Sequence, residues 1–153
     1  MHPYPHTHIA SAIGQSKGPV TVASPKLSSF ETAPPPEFDG PGGVWSPESL
    51  LCASVADCFV LTFRAVSRAA RLEWSELECR VEGLLERVGP NLQFTRFTTF
   101  AQLKVPVGSD TTKARELLER AEHTCLIANS LRGTRALNAE ITVASPASEA
   151  TVA

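Results

Sequence analysis

A chain of 153 residues is long enough for one domain, burying roughly 68–70% of the surface its extended form exposes, so it needs no disulfide staples to hold a core. With 42% hydrophobic and 20% charged residues the composition is that of a soluble globular protein, and no apolar run approaches the ~20 residues of a bilayer span. The net charge of −2, with lysine and arginine spread along the chain, argues against nucleic acid or a membrane surface as partner and leaves a small molecule as the expected one.

The first ten residues, MHPYPHTHIA, lack the basic and apolar regions of a secretory signal, so the expected compartment is the cytoplasm. His2, His6 and His8 lie close together on this proline-rich terminus and are read as adventitious rather than as a metal site. Residues 8–15 and 19–23, separated by QSKG, have the small and β-branched residues of a short hairpin. Residues 24–43 are rich in proline and glycine, which forbids a long regular element and predicts an ordered loop or lid.

Residues 46–71 form the longest predicted element. Ser46 is a suitable N-cap, Pro47 occupies the first helical position, where a missing N–H costs nothing, and Glu48 stands in the first turn. Leu51, Val55, Cys58, Phe59, Thr62, Phe63 and Val66 recur at helical spacing, and much of the remaining circumference is apolar or small. Such a helix is expected to be buried on more than one side. A single sheet covers one side, so the expected cover for the rest is a second copy of the chain packed through the same helix.

Residues 74–88 alternate Leu77, Cys79 and Val81 with Glu76, Glu78, Arg80 and Glu82, the pattern of a half-exposed strand with Cys79 inward. After the turn at Gly89-Pro90-Asn91, residues 92–105 repeat the alternation with Phe94, Thr98, Phe100 and Leu103, blurred from Thr95 to Thr99. Asp110 caps a second helix over 111–129, whose apolar stripe includes Leu117, Leu118, Ala121 and Cys125, and residues 136–144 alternate as a last strand. The expected architecture is a single α+β domain over 1–153 with antiparallel sheets and a long buried central helix, in an intertwined homodimer; residues 1–8 and 146–153 are expected to be flexible.

Four cysteines in a reducing compartment are expected to be free, catalytic or metal-bound, and their spacings give no zinc knuckle. Cys52 is six residues, about 240° and 9 Å, from Cys58 on the same helix, so those two do not meet. Cys58 and Cys125 both sit on apolar helix faces 67 positions apart, and spacing alone does not say whether they meet. If they do, one thiolate can attack a peroxide, become a sulfenic acid and condense with the other thiol. Taken singly, each is equally well a small buried hydrophobe.

The sequence carries a resemblance in these same places. Ser46-Pro47-Glu48, then Leu50-Leu51, Ala53-Ser54 and Cys58-Phe59, with residues 121–131 reading AEHTCLIANSL, resemble the OsmC/Ohr family of hydroperoxide reductases. The resemblance implies an OsmC-like fold, a peroxidatic Cys58 resolved by Cys125 as an intrachain disulfide, and a part for Glu48 in the active-site polar network. It also implies an organic hydroperoxide substrate and no bound cofactor, with an external dithiol or lipoyl-type reductant reopening the disulfide. Glu48 lies about 15 Å along the helix from Cys58, so the opposite subunit is its expected beneficiary. Two departures stand out: the chain has no arginine before Arg64, where the family places the cation that activates the thiol, and Leu126 stands where proline commonly follows the second cysteine. These departures suit a general OsmC-like member. A non-catalytic dimer binding a small apolar ligand, and a thiol redox sensor, are compatible with the same residues.

Overall fold

The computed structural model describes residues 3–144, and the chain divides into two compact units, 1–51 and 52–153, taken here one at a time. Residues 3–8 carry no regular secondary structure, and the rest of the expected flexible ends, 1–2 and 146–153, lies outside the described residues.

The first unit is built on a three-stranded antiparallel sheet of β1 (Ser11–Ile13), β2 (Val20–Ala23) and β3 (Phe30–Thr32). The hairpin of β1 and β2 follows from its turn residues. β3 sits inside the stretch expected to hold no long element; at three residues it is too short to show an alternation, and its place is fixed by pairing with β2 and by the bridge from Thr32 to Trp45. A single 3-10 turn, Pro36–Phe38, follows, with Asp39 in the left-handed region at φ 59°. At Gly40 a Cβ would come within 1.7 Å of the Pro34 carbonyl oxygen, so the loop closes on itself only with glycine there.

Helix α1 (Pro47–Ala69) begins where Ser46 predicts. The Ser49 N–H donates to Ser46 Oγ at 3.2 Å and the Ser46 N–H donates to Ser49 Oγ at 2.9 Å, a reciprocal cap in which a serine takes the part of the usual glutamate. The helix ends in a Schellman motif: the Leu72 N–H reaches back to the Ser67 carbonyl at 2.9 Å and the Arg71 N–H to that of Arg68 at 3.1 Å, with Arg71 itself at φ 54°. By length and composition α1 is apolar enough to cross a bilayer, which the run-by-run reading of the sequence had excluded. Within this chain it buries one stripe, Val55, Phe59, Phe63 and Ser67, rather than several sides.

That stripe belongs to the second unit, where Phe59 and Phe63 cluster with Ala101, Leu103 and Val105 of β5 (Asn91–Val105) and with Ala114, Leu117, Leu118 and Ala121 of α2 (Thr111–Thr124). Ser67, fully buried, is satisfied by the Trp74 Nε1–H at 2.9 Å, and the Trp74 ring meets Phe63 edge-on. The sheet is ordered β4 (Glu76–Val88), β5, β6 (Thr134–Val143). β4 and β5 pair antiparallel as expected, with Leu77, Cys79 and Val81 half-buried and their charged neighbours exposed. β6 pairs with β5 in parallel, so the second sheet is mixed, because α2 and the short α3 (Leu126–Asn129) carry the chain back across the sheet before β6 begins.

The phase of β5 also differs from the sequence reading. Phe97, Thr99, Ala101, Leu103 and Val105 face the core, whereas Phe100, expected inside with Thr98, lies under the Arg80 guanidinium at 4.2 Å. The register slips between Leu84 and Leu85, which pair with Arg96 and Phe94, leaving Thr95 as the extra residue of a bulge. One extra residue exchanges the two faces of everything that follows.

Two substitutions test these assignments by urea denaturation. Phe63→Ala should cost about 3–5 kcal/mol, since it empties the centre of the second unit. Asp110→Ala should cost about 1 kcal/mol, since it removes the acceptor of the Lys113 N–H at the start of α2. Comparable losses for the two would be inconsistent with this core.

Candidate active site

Cys58 precedes Phe59 by one position on α1 and so sits about 100° from the buried stripe, at its edge, half-buried. Its Sγ lies 3.9 Å from Thr62 Oγ1, one turn on. What meets it from outside the helix comes from the junction of α2 and α3. Helical geometry fails at Cys125, whose φ and ψ of −61° and 112° are extended, and resumes at once in α3. The interruption puts Ile127 in a first helical turn, where a backbone N–H has no intrahelical acceptor. That N–H donates to Cys58 Sγ at 3.5 Å.

Cys125, the residue at that break, interacts electrostatically with Cys58. Cys125 is 1% exposed, and burial pushes its thiol up to about 11; the backbone at Ala128 opposes this, and the interaction with Cys58 reinforces it. Cys79, inward on β4, is pushed up to about 12, chiefly by burial and then by the charge of Cys125. Cys52 is raised by burial, with the Gly83 N–H working the other way. Gly83 is what admits that sulfur: a Cβ there would stand 2.9 Å from Cys52 Sγ and 2.8 Å from the Phe94 ring. All four cysteines are free.

Behind Cys125 lies a cavity of about 10 Å³, the space of a single water, walled by Val55, Phe59, Phe97 and Ala128 on the apolar side and by Glu122 and Arg135 on the polar side. Arg135 Nε meets Glu122 Oε1 at 3.2 Å. Arg135 does not figure in the sequence reading, and Glu122 figures there only within the 121–131 motif, with no role. The signal was present for Arg135, which alternates in phase with Leu137, Ala139 and Ile141, so that the first core-facing residue of β6 is a cation.

Glu48 belongs to the first unit, where it and Pro47 line a hollow of about 340 Å³ with Val20, Val22, Pro34, Pro35 and Phe38 among its walls. Its Oε2 is buried and accepts no hydrogen bond among the described residues. The described residues include no cluster of three or more His, Cys, Asp or Glu able to hold a metal.

Residues 40–140 match the sequence model of the OsmC-like protein family. The chain belongs to that family. Among curated proteins it is 25% identical over 112 residues to the uncharacterized protein YmaD of Bacillus subtilis, a match covering 71% of this chain and 75% of that one. Among solved structures it is similar to an organic hydroperoxide resistance protein OsmC from Legionella pneumophila, at TM-score 0.72 and 25% identity over 92% of this chain and all of that one. An OsmC-like protein of unknown function from Vibrio cholerae superposes at TM-score 0.81 with 16% identity, covering 88% of this chain and 99% of that one, and shows the fold. The OsmC-like fold therefore holds the two thiols of this chain together although its sequence has diverged widely from these relatives.

The thiols of this OsmC-like protein should differ in their pH response. Alkylation by iodoacetamide, mapped by mass spectrometry, should still be rising for Cys125 at pH 10 and for Cys79 at pH 11, because each thiolate forms only as pH approaches its raised value. Labelling of either that levels off above pH 9 would contradict the burial described.

Proposed function

We propose that this protein is a thiol peroxidase that reduces organic hydroperoxides, with Cys58 as the peroxidatic and Cys125 as the resolving cysteine. The observation that carries this reading is the Ile127 N–H donating to Cys58 Sγ at 3.5 Å, which sets the half-buried Cys58 against the turn that holds the fully buried Cys125, 67 positions away in sequence. The Ile127 N–H supports it, because a donor of this kind interacts more strongly with a thiolate than with a thiol.

The Cys58 thiolate attacks the distal oxygen of the hydroperoxide; the O–O bond breaks, the alkoxide leaves and is protonated to the alcohol, and Cys58 becomes a sulfenic acid. The Cys125 sulfur then displaces hydroxide from the sulfenic sulfur, its proton and the hydroxide leave as water, and a disulfide joins the two. An external dithiol, of the lipoyl type or another, returns both to thiols by exchange, and no bound cofactor takes part. Val55 and Phe59 beside the thiols favour an alkyl over a hydrogen peroxide.

The acting form in this proposal is a cytoplasmic homodimer. Outside its single buried stripe α1 is at most half-buried in this chain, with Leu61 half exposed, which supports cover by a second copy. Glu48 acts there on the partner's thiol, in keeping with an unpaired carboxylate oxygen that waits for a donor. Mixing subunits tests this part: Cys58→Ser and Glu48→Gln homodimers should each be impaired, and heterodimers of the two should recover activity, since one of their sites is intact. No recovery on exchange would place Glu48 outside the chemistry.

A second reading draws on the hollow of the first unit, whose size and proline-rich apolar walls suit a small apolar ligand. In that reading the protein binds without turnover. Treating reduced protein with cumene hydroperoxide separates the two: the free thiols should fall from four to two per chain, and Cys58→Ser should prevent the loss. Four thiols surviving in the wild type, with a small molecule retained in native mass spectrometry, would favour the binding module.

A further inference from the structure

Arg135 is an arginine on the core-facing side of a strand, 26% exposed, where a cation is costly unless its donors are met. They are met by one segment of chain. Nε pairs with Glu122 Oε1 at 3.2 Å, Nη1 donates to the Glu122 carbonyl at 3.4 Å, and Nη1 donates again to Asn129 Oδ1 at 2.6 Å. Asn129 in turn donates from Nδ2 to the His123 carbonyl at 3.0 Å. The guanidinium therefore ties the last turn of α2 to the end of α3, and between those two anchors lie Cys125 and Ile127, the residues that interact with Cys58.

The span needs such a tie. Helix hydrogen bonding is interrupted at Cys125, where the local restraints are its own N–H on the Glu122 carbonyl, at 3.4 Å, and its carbonyl on the Asn129 N–H, at 2.9 Å. The first is long, and its acceptor is the same carbonyl that Arg135 holds.

We propose that Arg135 is a positioning residue for disulfide formation: it fixes the turn at Cys125 so that the Cys125 sulfur stands on line to displace hydroxide from the Cys58 sulfenic acid. This rests on the peroxidase reading of the same site. The oxidation of Cys58 by peroxide does not use the Cys125 sulfur, whereas its resolution closes the two sulfurs to about 2.05 Å, and a displacement of order 1 Å in such a step is worth about 100-fold in rate.

The test follows both steps in the full-length protein after one equivalent of cumene hydroperoxide, trapping sulfenic acid with dimedone and counting disulfide by mass. Arg135→Gln should form sulfenic acid at Cys58 within about twofold of the wild-type rate and convert it to disulfide about 10- to 100-fold more slowly. Arg135→Lys, which keeps the charge but loses the fork, should lie between the two. Asn129→Ala, at an exposed position, removes one anchor alone and should slow the second step in the same way, which keeps the test open should Arg135→Gln fail to fold. A disulfide formed at the wild-type rate in these variants, or both steps slowed by one factor alongside a lowered melting temperature, would overturn the positioning role. Absence of any Cys58 adduct in both wild type and Cys125→Ser would instead overturn the peroxidase reading beneath it.

Discussion

The 3.5 Å hydrogen bond from the Ile127 N–H to Cys58 Sγ exists because the chain leaves helical geometry for one residue at Cys125. A continuous helix over 111–129 would commit the Ile127 N–H to a carbonyl four residues back and leave Cys58 without a backbone donor. The break costs α2 its regular ending and leaves its last turn to other partners. In return it delivers a backbone donor to the Cys58 sulfur from the turn that carries Cys125. The geometry on the α1 side is simpler: Val55, Phe59 and Phe63 anchor the helix in the second unit, and Cys58 is carried at the edge of that anchor.

Burial then distinguishes the thiols. Cys125, enclosed and raised to about 11, is held in its protonated form at neutral pH, and so is Cys79, raised to about 12. Cys58, the thiol set against the Cys125 turn, is half-buried and accepts a backbone N–H from that turn. An enclosed thiol is poorly placed to meet a peroxide arriving from solvent and well placed to meet a neighbour, which is the asymmetry a two-thiol reaction needs.

What the sequence made legible was what local chemistry decides. Ser46 and Asp110 cap the helices they appeared to cap, and β4 alternates as its charges indicated. In β5 the expected pattern has Thr98 and Phe100 out of phase and Leu103 in its place, because a bulge is a property of pairing and nothing in QFTRFTTF marks which threonine is extra. The parallel direction of β6 follows from the path of α2 and α3, which no alternation encodes. Spacing left open whether Cys58 and Cys125, 67 positions apart, meet, because the approach of α1 to the 125–127 turn is tertiary. Arg135 was hidden by a boundary, since a strand begun at Ala136 leaves it in a loop, whereas the strand from Thr134 puts it on the core face.

The two departures from the family pattern have different physical standing. Proline after a cysteine pushes that cysteine's backbone toward extended geometry. Here Cys125 is extended at ψ 112° with Leu126 following, and the Leu126 side chain is 64% exposed, so neither a ring constraint nor the burial of Leu126 holds the break. Tertiary contacts hold it instead, from Arg135 and Asn129 on one side and Cys58 on the other. The absent N-terminal arginine is a matter of charge rather than shape. At the Cys125 turn the charge of Arg135 is matched by Glu122 at 3.2 Å. In this chain the second unit holds the Cys125 turn with two hydrogen bonds and one ion pair from the Arg135 guanidinium, and a backbone N–H of the same turn reaches the Cys58 sulfur.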